Sequence, residues 1–187
     1  MTSTRVDRAA LVRRALVELV AERGFRGTSM GAVAERAGVA TGTAYVHYAS
    51  KDELIIAAYR EVKLELGRAA VAGVDPSADP EERFRTLWKG IHTHLAADPV
   101  RARFLVQIDA SPYATEAHAA AAGDPDDELM AAGEAADIAP LLVDLPLELI
   151  YDLGMGPIVR LVASGVTVHK GELATLAEAC WRAITRH

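Results

Sequence analysis

Three groups of residues in this chain carry chemistry beyond packing. Thr41, Gly42, Thr43, Tyr45 and His47 fall within seven positions. Their hydroxyls, phenol and imidazole both donate and accept hydrogen bonds, which suits base edges and phosphates better than activation of a nucleophile. His92, His94 and Asp109 form the obvious constellation for an all-helical enzyme or metal-binding protein. His92 and His94, however, are two residues apart, about 200° around a helix, so one metal cannot take both from one face. Cys180 is the lone cysteine, which excludes an intramolecular disulfide and a cysteine zinc cluster and reads as a small buried apolar residue. No HExxH, phosphate-binding loop, GxSxG or strand-to-helix GxGxxG occurs. Recognition is therefore favoured over catalysis, with no cofactor or metal expected. A protein-interaction module is a third reading.

Those side chains need elements to present them. Apolar residues recur as Leu11, Ala15, Leu19 and as Val12, Leu16, Val20, two adjacent rows that give a helix from Arg5 to Arg23 one broad apolar face. Gly24 closes it. Thr28 is a good N-cap for a second, short helix built on Met30, Val33, Ala34 and Ala37. Gly38 follows where a helix ends in the left-handed conformation that glycine adopts freely, and Val39 to Tyr48 form a third helix. Two short helices joined by a tight glycine turn make a helix-turn-helix, whose second helix enters the major groove. Ser50 and Glu53 then form a capping box for a fourth helix reaching Arg68.

Charge follows the same division. Residues 1–51 hold eight basic side chains against four acidic ones, a balance of +4, which leaves −10 on the remainder of a chain whose net charge is −6. A basic end on an acidic body suits a protein that approaches phosphates with one end only.

Further along, turn formers at 73–80 precede a fifth helix at 81–97. Asp98-Pro99 opens a sixth to about Asp109, Ser111-Pro112 and Asp124-Pro125 open helices at 112–122 and 125–137, and two apolar helices follow at 146–164 and 171–186. No segment alternates with period two, so the expectation is an all-α fold of about nine to ten helices. No long apolar run or secretory signal is present, which predicts a cytoplasmic protein with no membrane partner.

The order Gly24-Phe25, Thr28-Ser29-Met30, Val33-Ala34, Ala37-Gly38-Val39, Gly42-Thr43-Ala44-Tyr45, Tyr48 and Ser50-Lys51-Asp52-Glu53-Leu54 closely resembles the N-terminal domain of the TetR family of bacterial transcriptional regulators. The resemblance covers about residues 8–56 and is architectural beyond Leu54. It implies a three-helix helix-turn-helix DNA-binding domain at 1–50 and a ligand-binding and dimerisation domain at 51–187. It implies that Thr28 and Ser29 open the second helix, with Thr28 touching a phosphate. Thr41, Gly42 and Thr43 would face the groove, Tyr45 would meet backbone or a thymine methyl, and His47 and Lys51 would reach phosphates, with Tyr48 beside them. Two residues depart from the family pattern: Ala40 stands where serine commonly opens the recognition helix, and Tyr48 where phenylalanine is usual.

For the body, the resemblance implies a homodimer, a near-palindromic double-stranded DNA operator, and an unknown small-molecule inducer that releases a repressor from DNA. The last two helices are the expected dimer interface, through Ile150, Leu153, Gly154, Ile158 and Leu161 on one and Leu173, Leu176, Ala177, Cys180, Trp181 and Ile184 on the other. The ligand cavity is expected among Trp88, Ile91, His92, Leu95, Phe104, Gln107, Ile108, Tyr113, Met130, Met155 and Val159.

Overall fold

Helix α1 (Arg8–Arg23) begins where Asp7 can cap it, Oδ1 accepting from the Ala9 and Ala10 N–H groups at 3.0 and 3.2 Å. The computed structural model describes residues 7–122 and 124–186, so the expected start at Arg5 lies outside the described residues. Val12, Ala15, Leu16, Leu19 and Val20 bury the inner face of α1, whereas Leu11 is 37% exposed at its edge. Each fully buried Leu or Val contributes about 1.5–3 kcal/mol, so this face decides how α1 seats.

After α2 (Met30–Ala37) and α3 (Thr41–His47), α4 (Lys51–Val71) runs through the middle of the molecule. It packs on α5 (Pro80–Ala97), α7 (Ala114–Ala122) and α8 (Glu128–Gly133). α6 (Pro99–Asp109) lies between α1 and α10 (Gly156–Ser164), while α9 (Leu147–Gly154) packs on α11 (Lys170–Ile184). One hydrophobic core extends from Val12 to Ile184 without interruption. The helix-turn-helix is therefore seated on the body through α1, against α6 and α4. Among the described residues there are eleven α-helices, one 3-10 turn at Ala139–Leu141 and no strand beyond a single Leu142–Thr185 bridge. Among the same residues no helix is long and apolar enough to cross a membrane.

Helix α3 starts at Thr41 rather than Val39 and α4 runs on to Val71 rather than Arg68, and three boundaries further along also differ from expectation. The apolar stretch 146–164 is two helices, broken at Met155, because Pro157 has no N–H to donate and its ring would clash with the carbonyl four residues back. The predicted helix 125–137 shrinks to α8, since Asp127 rather than Asp124 caps it, accepting from the Leu129 and Met130 N–H groups. Asp124 instead binds Arg60 at 2.8 Å. Ser111 accepts from the Tyr113 N–H, and α7 starts at Ala114 rather than at Pro112.

The break at Met155 is held in place by a tryptophan. Trp88 Nε1 donates to the Gly154 carbonyl at 3.1 Å in a buried setting, satisfying one of the end-of-helix acceptors of α9. Trp88→Phe keeps most of the ring's volume and leaves that carbonyl without its donor. It is expected to cost about 1–3 kcal/mol of unfolding free energy in urea titration, and a loss under about 0.3 kcal/mol would mean that water replaces the indole.

Candidate nucleic-acid interface

The turn between α2 and α3 is fixed by main-chain chemistry. Gly38 sits at φ 68°, ψ 29°, and the Val39 N–H reaches back to the Ala34 carbonyl at 3.0 Å, closing the six-to-one bond of a Schellman ending. Ala40 precedes α3 without a side-chain cap, as its methyl requires. Ala44 is fully buried where α3 crosses its neighbours, and the opposite side stands in solvent: Thr41, Gly42, Tyr45, Val46 and His47 are exposed and Thr43 half-exposed. Val46, 82% exposed, is absent from the sequence-predicted set. Its position four residues after Gly42 was the available signal, since the two share a helix face.

Gly42 differs from Gly38 in what it requires. Its φ is not positive, and a Cβ built on it would meet nothing within 4 Å. Nothing inside the protein needs a glycine there.

Two of the expected DNA contacts, Thr28 and Tyr48, are corrected. Ser29, not Thr28, caps α2, its Oγ accepting from the Ala32 N–H at 3.2 Å. Thr28 is 3% exposed and its hydroxyl donates to the Gly24 carbonyl at 2.9 Å, which withdraws it from any phosphate. Tyr48 is 6% exposed, and its hydroxyl accepts from Arg13 Nη1 at 2.6 Å. The Arg13 fork also takes both carboxylate oxygens of Glu61 at 2.7 Å, joining α1, the end of α3 and α4. Burial pushes the Tyr48 phenol up, against the pull of Arg13. The hydroxyl that distinguishes Tyr48 from phenylalanine thus braces the recognition helix from behind. Lys51 Nζ donates to the Phe25 and Thr28 carbonyls at 3.2 and 3.3 Å, pinning the start of α4 to the α1–α2 turn. At that same end, Ser50 Oγ accepts from the Glu53 N–H, while Glu53 reaches one residue further than expected, to the Ala49 N–H at 2.8 Å.

Residues 12–58 match the pattern of bacterial regulatory proteins of the TetR family, and residues 80–185 match the tetracyclin repressor-like C-terminal domain. The chain belongs to the TetR family. The HTH-type transcriptional regulator BetI of Rhizobium meliloti is 35% identical over 82 residues, covering 44% of this chain and 40% of that protein. An HTH-type transcriptional regulator of Haemophilus influenzae is 29% identical over 112 residues, 60% of each. The chain thus aligns with about half the length of these curated relatives. Among solved structures, a TetR-family transcriptional regulator from Haemophilus influenzae has a TM-score of 0.79 at 24% identity, over 99% of this chain and 100% of that one. A TetR-family structure from a Shewanella species gives 0.78 at 26% identity, over 96% and 99%. Both curated relatives are transcriptional regulators of the helix-turn-helix type.

Among the described residues the body of this TetR-family regulator has two part-enclosed cavities between its helices, beside a wider, open depression of about 570 Å³ along α11 lined by Gly171, Thr175, Leu176 and Ala179. The larger of the two cavities, of about 160 Å³, lies between the C-terminal end of α4, α5, α8, α9 and α11. It is lined by Val71, Val74, Phe84, Leu87, Met130, Ile138, Ile150, Tyr151, Met155, Trp181 and Ile184, with Arg83 as the one charged side chain among the described residues. The smaller, of about 70 Å³, holds Met130, Val159, Lys63, Asp109, His118 and Asp127 among its walls. Lys63 is 6% exposed, its ammonium 3.7 Å from the centroid of Tyr151, which lines both cavities.

Of the predicted ligand residues, Met130, Met155 and Val159 line these spaces. Trp88, Ile91, Leu95, Phe104 and Ile108 do not; all are within 2% of complete burial and form solid core, because periodicity identifies the inward face of a helix and not whether it meets atoms or a hole. His92 is half-buried on α5, and Gln107 is exposed beside Gly24. Tyr113 belongs to the junction with the DNA-binding helices: its hydroxyl donates to Asp52 at 2.8 Å and its ring lies 5.0 Å from that of Phe25. Burial and that bond push its phenol up to about 12.

The predicted dimer residues also divide. Ile150, Ile158, Ala177, Cys180 and Ile184 are buried within the single chain, and Ile150, Trp181 and Ile184 turn to the larger cavity. A Cβ on Gly154 would meet Ile184 at 3.3 Å, so its closeness serves this chain's own packing. Leu153 is 44% exposed, with Leu161, Leu173 and Leu176 half-exposed. Leu149, 48% exposed on α9, and the row Gly171, Thr175, Ala179, Ala183 along the outer face of α11 also stand in solvent and are absent from the sequence-predicted set.

His92, His94 and Asp109 are not brought together: among the described residues no group of three metal-ligating side chains exists. His94 is held below its ordinary value by burial and by Arg101. Asp109 pairs with His118 at 3.0 Å, and that hydrogen bond, opposed by burial, raises the imidazole above its ordinary value. A raised folded-state value gives stability that is complete below the unfolded value of about 6.5 and is lost as pH rises through the folded one. Asp109→Asn is therefore expected to cost a few tenths of a kcal/mol at pH 5 and nothing at pH 9, both side chains being more than a third exposed. Urea titrations at the two pH values measure this, and an equal cost at both would refute the pairing.

Proposed function

We propose that this protein binds a near-palindromic operator as a homodimer and represses transcription until a small molecule in the larger cavity releases it. The observation that carries the reading is the outer face of α3, where Gly42 leaves open space and Val46 stands almost fully in water. Val46 presents its aliphatic side chain beside that open space, and a thymine methyl in the major groove suits both. Thr41, Thr43 and Tyr45 supply hydrogen-bonding groups around it. His47, the remaining N–H groups at the start of α2 and the third donor of Lys51 would meet phosphates.

The coupling reading follows from α4. Its first residue holds the α1–α2 turn through Lys51, and its last, Val71, lines the larger cavity. The helix has 21 residues, about 31 Å at 1.5 Å each, so a shift at one end reaches the other as a rigid rod. A ligand that favours one tilt of α4 changes operator affinity, and DNA changes ligand affinity by the same factor.

Selection of bound fragments from a random-duplex pool, followed by titration against the recovered sequence, tests the reading. Log K should fall linearly with log salt as counterions are released. Salt-independent affinity, or no enriched sequence, would count against it.

A further inference from the structure

We infer that the larger cavity recognises a small organic carboxylate, an aromatic or aliphatic acid of about six to eight carbons, whose carboxylate completes the half-filled edge of the Arg83 guanidinium. This rests on the reading of that cavity as the effector site. Arg83 stands in the apolar stripe of α5, one residue before Phe84 and four before Leu87, a place where sequence spacing calls for an aliphatic side chain. Its side chain is 14% exposed, and it is the one charged group among the described lining residues. Nη2 donates to Asp137, while Nε has no acceptor and no surface open to water, so a ligand oxygen reaches it once the Arg83 side chain turns toward the cavity.

The same protein shows what that edge accepts when filled. At Arg13 the Nε and Nη2 donors take the two oxygens of Glu61, both at 2.7 Å. At Arg60 the same two atoms converge on Asp124. At Arg83 only one of the pair is used, and Asp137, 59% exposed, is a hydrated and weak counter-ion. A buried donor left without an acceptor is destabilising, and the rigid fork of arginine matches a carboxylate in two-point contact. Among the described residues no acidic side chain lines the cavity to supply that second contact. The rest of the wall is apolar, so the remainder of the molecule must be hydrocarbon. An apolar cavity of about 150 Å³ holds benzene, which sets the scale of that hydrocarbon part for a space of about 160 Å³.

Calorimetric titration of the full chain with benzoate and hexanoate, beside benzamide and hexanamide, tests the inference. The acids should bind more tightly than the amides. Arg83→Met should weaken the acids about ten- to a hundredfold and the amides less than threefold, and Arg83→Lys should restore part of the difference. Asp137→Asn removes the competing carboxylate and should raise acid affinity severalfold without changing the amides, a gain that misfolding cannot imitate. Equal binding of acids and amides, unaffected by either substitution, would overturn the inference and leave the cavity as an effector site of another chemistry. Acids that bind through Arg83 without altering operator affinity would leave carboxylate recognition standing and remove the effector reading. Failure of all four probes to bind also overturns the inference.

Discussion

Gly42→Leu is expected to lower operator affinity at least a hundredfold while leaving the free energy of unfolding unchanged or slightly higher. Glycine inside a helix costs about 0.5–1 kcal/mol relative to alanine, so its presence in the seven-residue α3 is a local disadvantage. The fold offers no compensation, because an added Cβ meets nothing within 4 Å and the backbone there is ordinary. What remains is close approach by something outside the chain. Four added carbons on the groove side would hold the helix away from the bases, and each hydrogen-bonded pairing with a base edge that cannot form costs about 1–3 kcal/mol. Two such pairings suffice for a hundredfold, since each factor of ten is about 1.4 kcal/mol. Gly42→Ala should fall between, with measurable gain in stability and a smaller drop in affinity. Fluorescence anisotropy on the selected duplex, paired with urea titration, reads both quantities. A leucine variant that binds as the parent does would show that α3 does not enter the groove at this point.

Legibility of this chain in its sequence varies with the kind of signal. The first four helices were readable because their ends are chemical: Gly38 in a left-handed turn and Ser50 with Glu53 at a helix start have local causes that distant residues do not alter. Pro157 was equally local, and it breaks an apolar stretch whose continuous hydrophobicity argues for a single helix. Residues 110–145 were poorly readable because alanine-rich sequence has high helix propensity throughout, and where the helices stop depends on tertiary contacts such as Arg60 with Asp124. Role was harder than element. Trp88 and Phe84 lie on one stripe of α5, yet one is solid core and the other borders a cavity. Tyr48 reads as a DNA contact until Arg13, thirty-five residues earlier, is found on its hydroxyl. Arg83 carried a legible signal, a charge in an apolar stripe, whose meaning depends on what surrounds it.

The second large effect is expected at α11. TetR-family regulators typically form dimers, and residues of this chain first expected at the interface, Ala177, Cys180 and Ile184, are consumed by its own core. In the proposed homodimer a partner is therefore expected to meet what is left outside: the small row Gly171, Thr175, Ala179, Ala183, with Leu149 and Leu153 on the adjacent α9. Small side chains at every fourth position let two helices approach closely, and a long charged one among them holds the pair apart and is itself desolvated. Ala179→Arg is exposed in the single chain, so it should leave folding intact and shift the mass in light scattering from a dimer to the 19.9 kDa protomer. Operator affinity should fall with it by at least a hundredfold, because two recognition helices held about 34 Å apart on one face of DNA bind as a unit and separate ones do not. Leu153→Arg should act in the same direction. A parent chain that is already a monomer at micromolar concentration, or two arginine variants that remain dimers, would place the symmetry axis elsewhere and remove these helices from the account of how the operator is read.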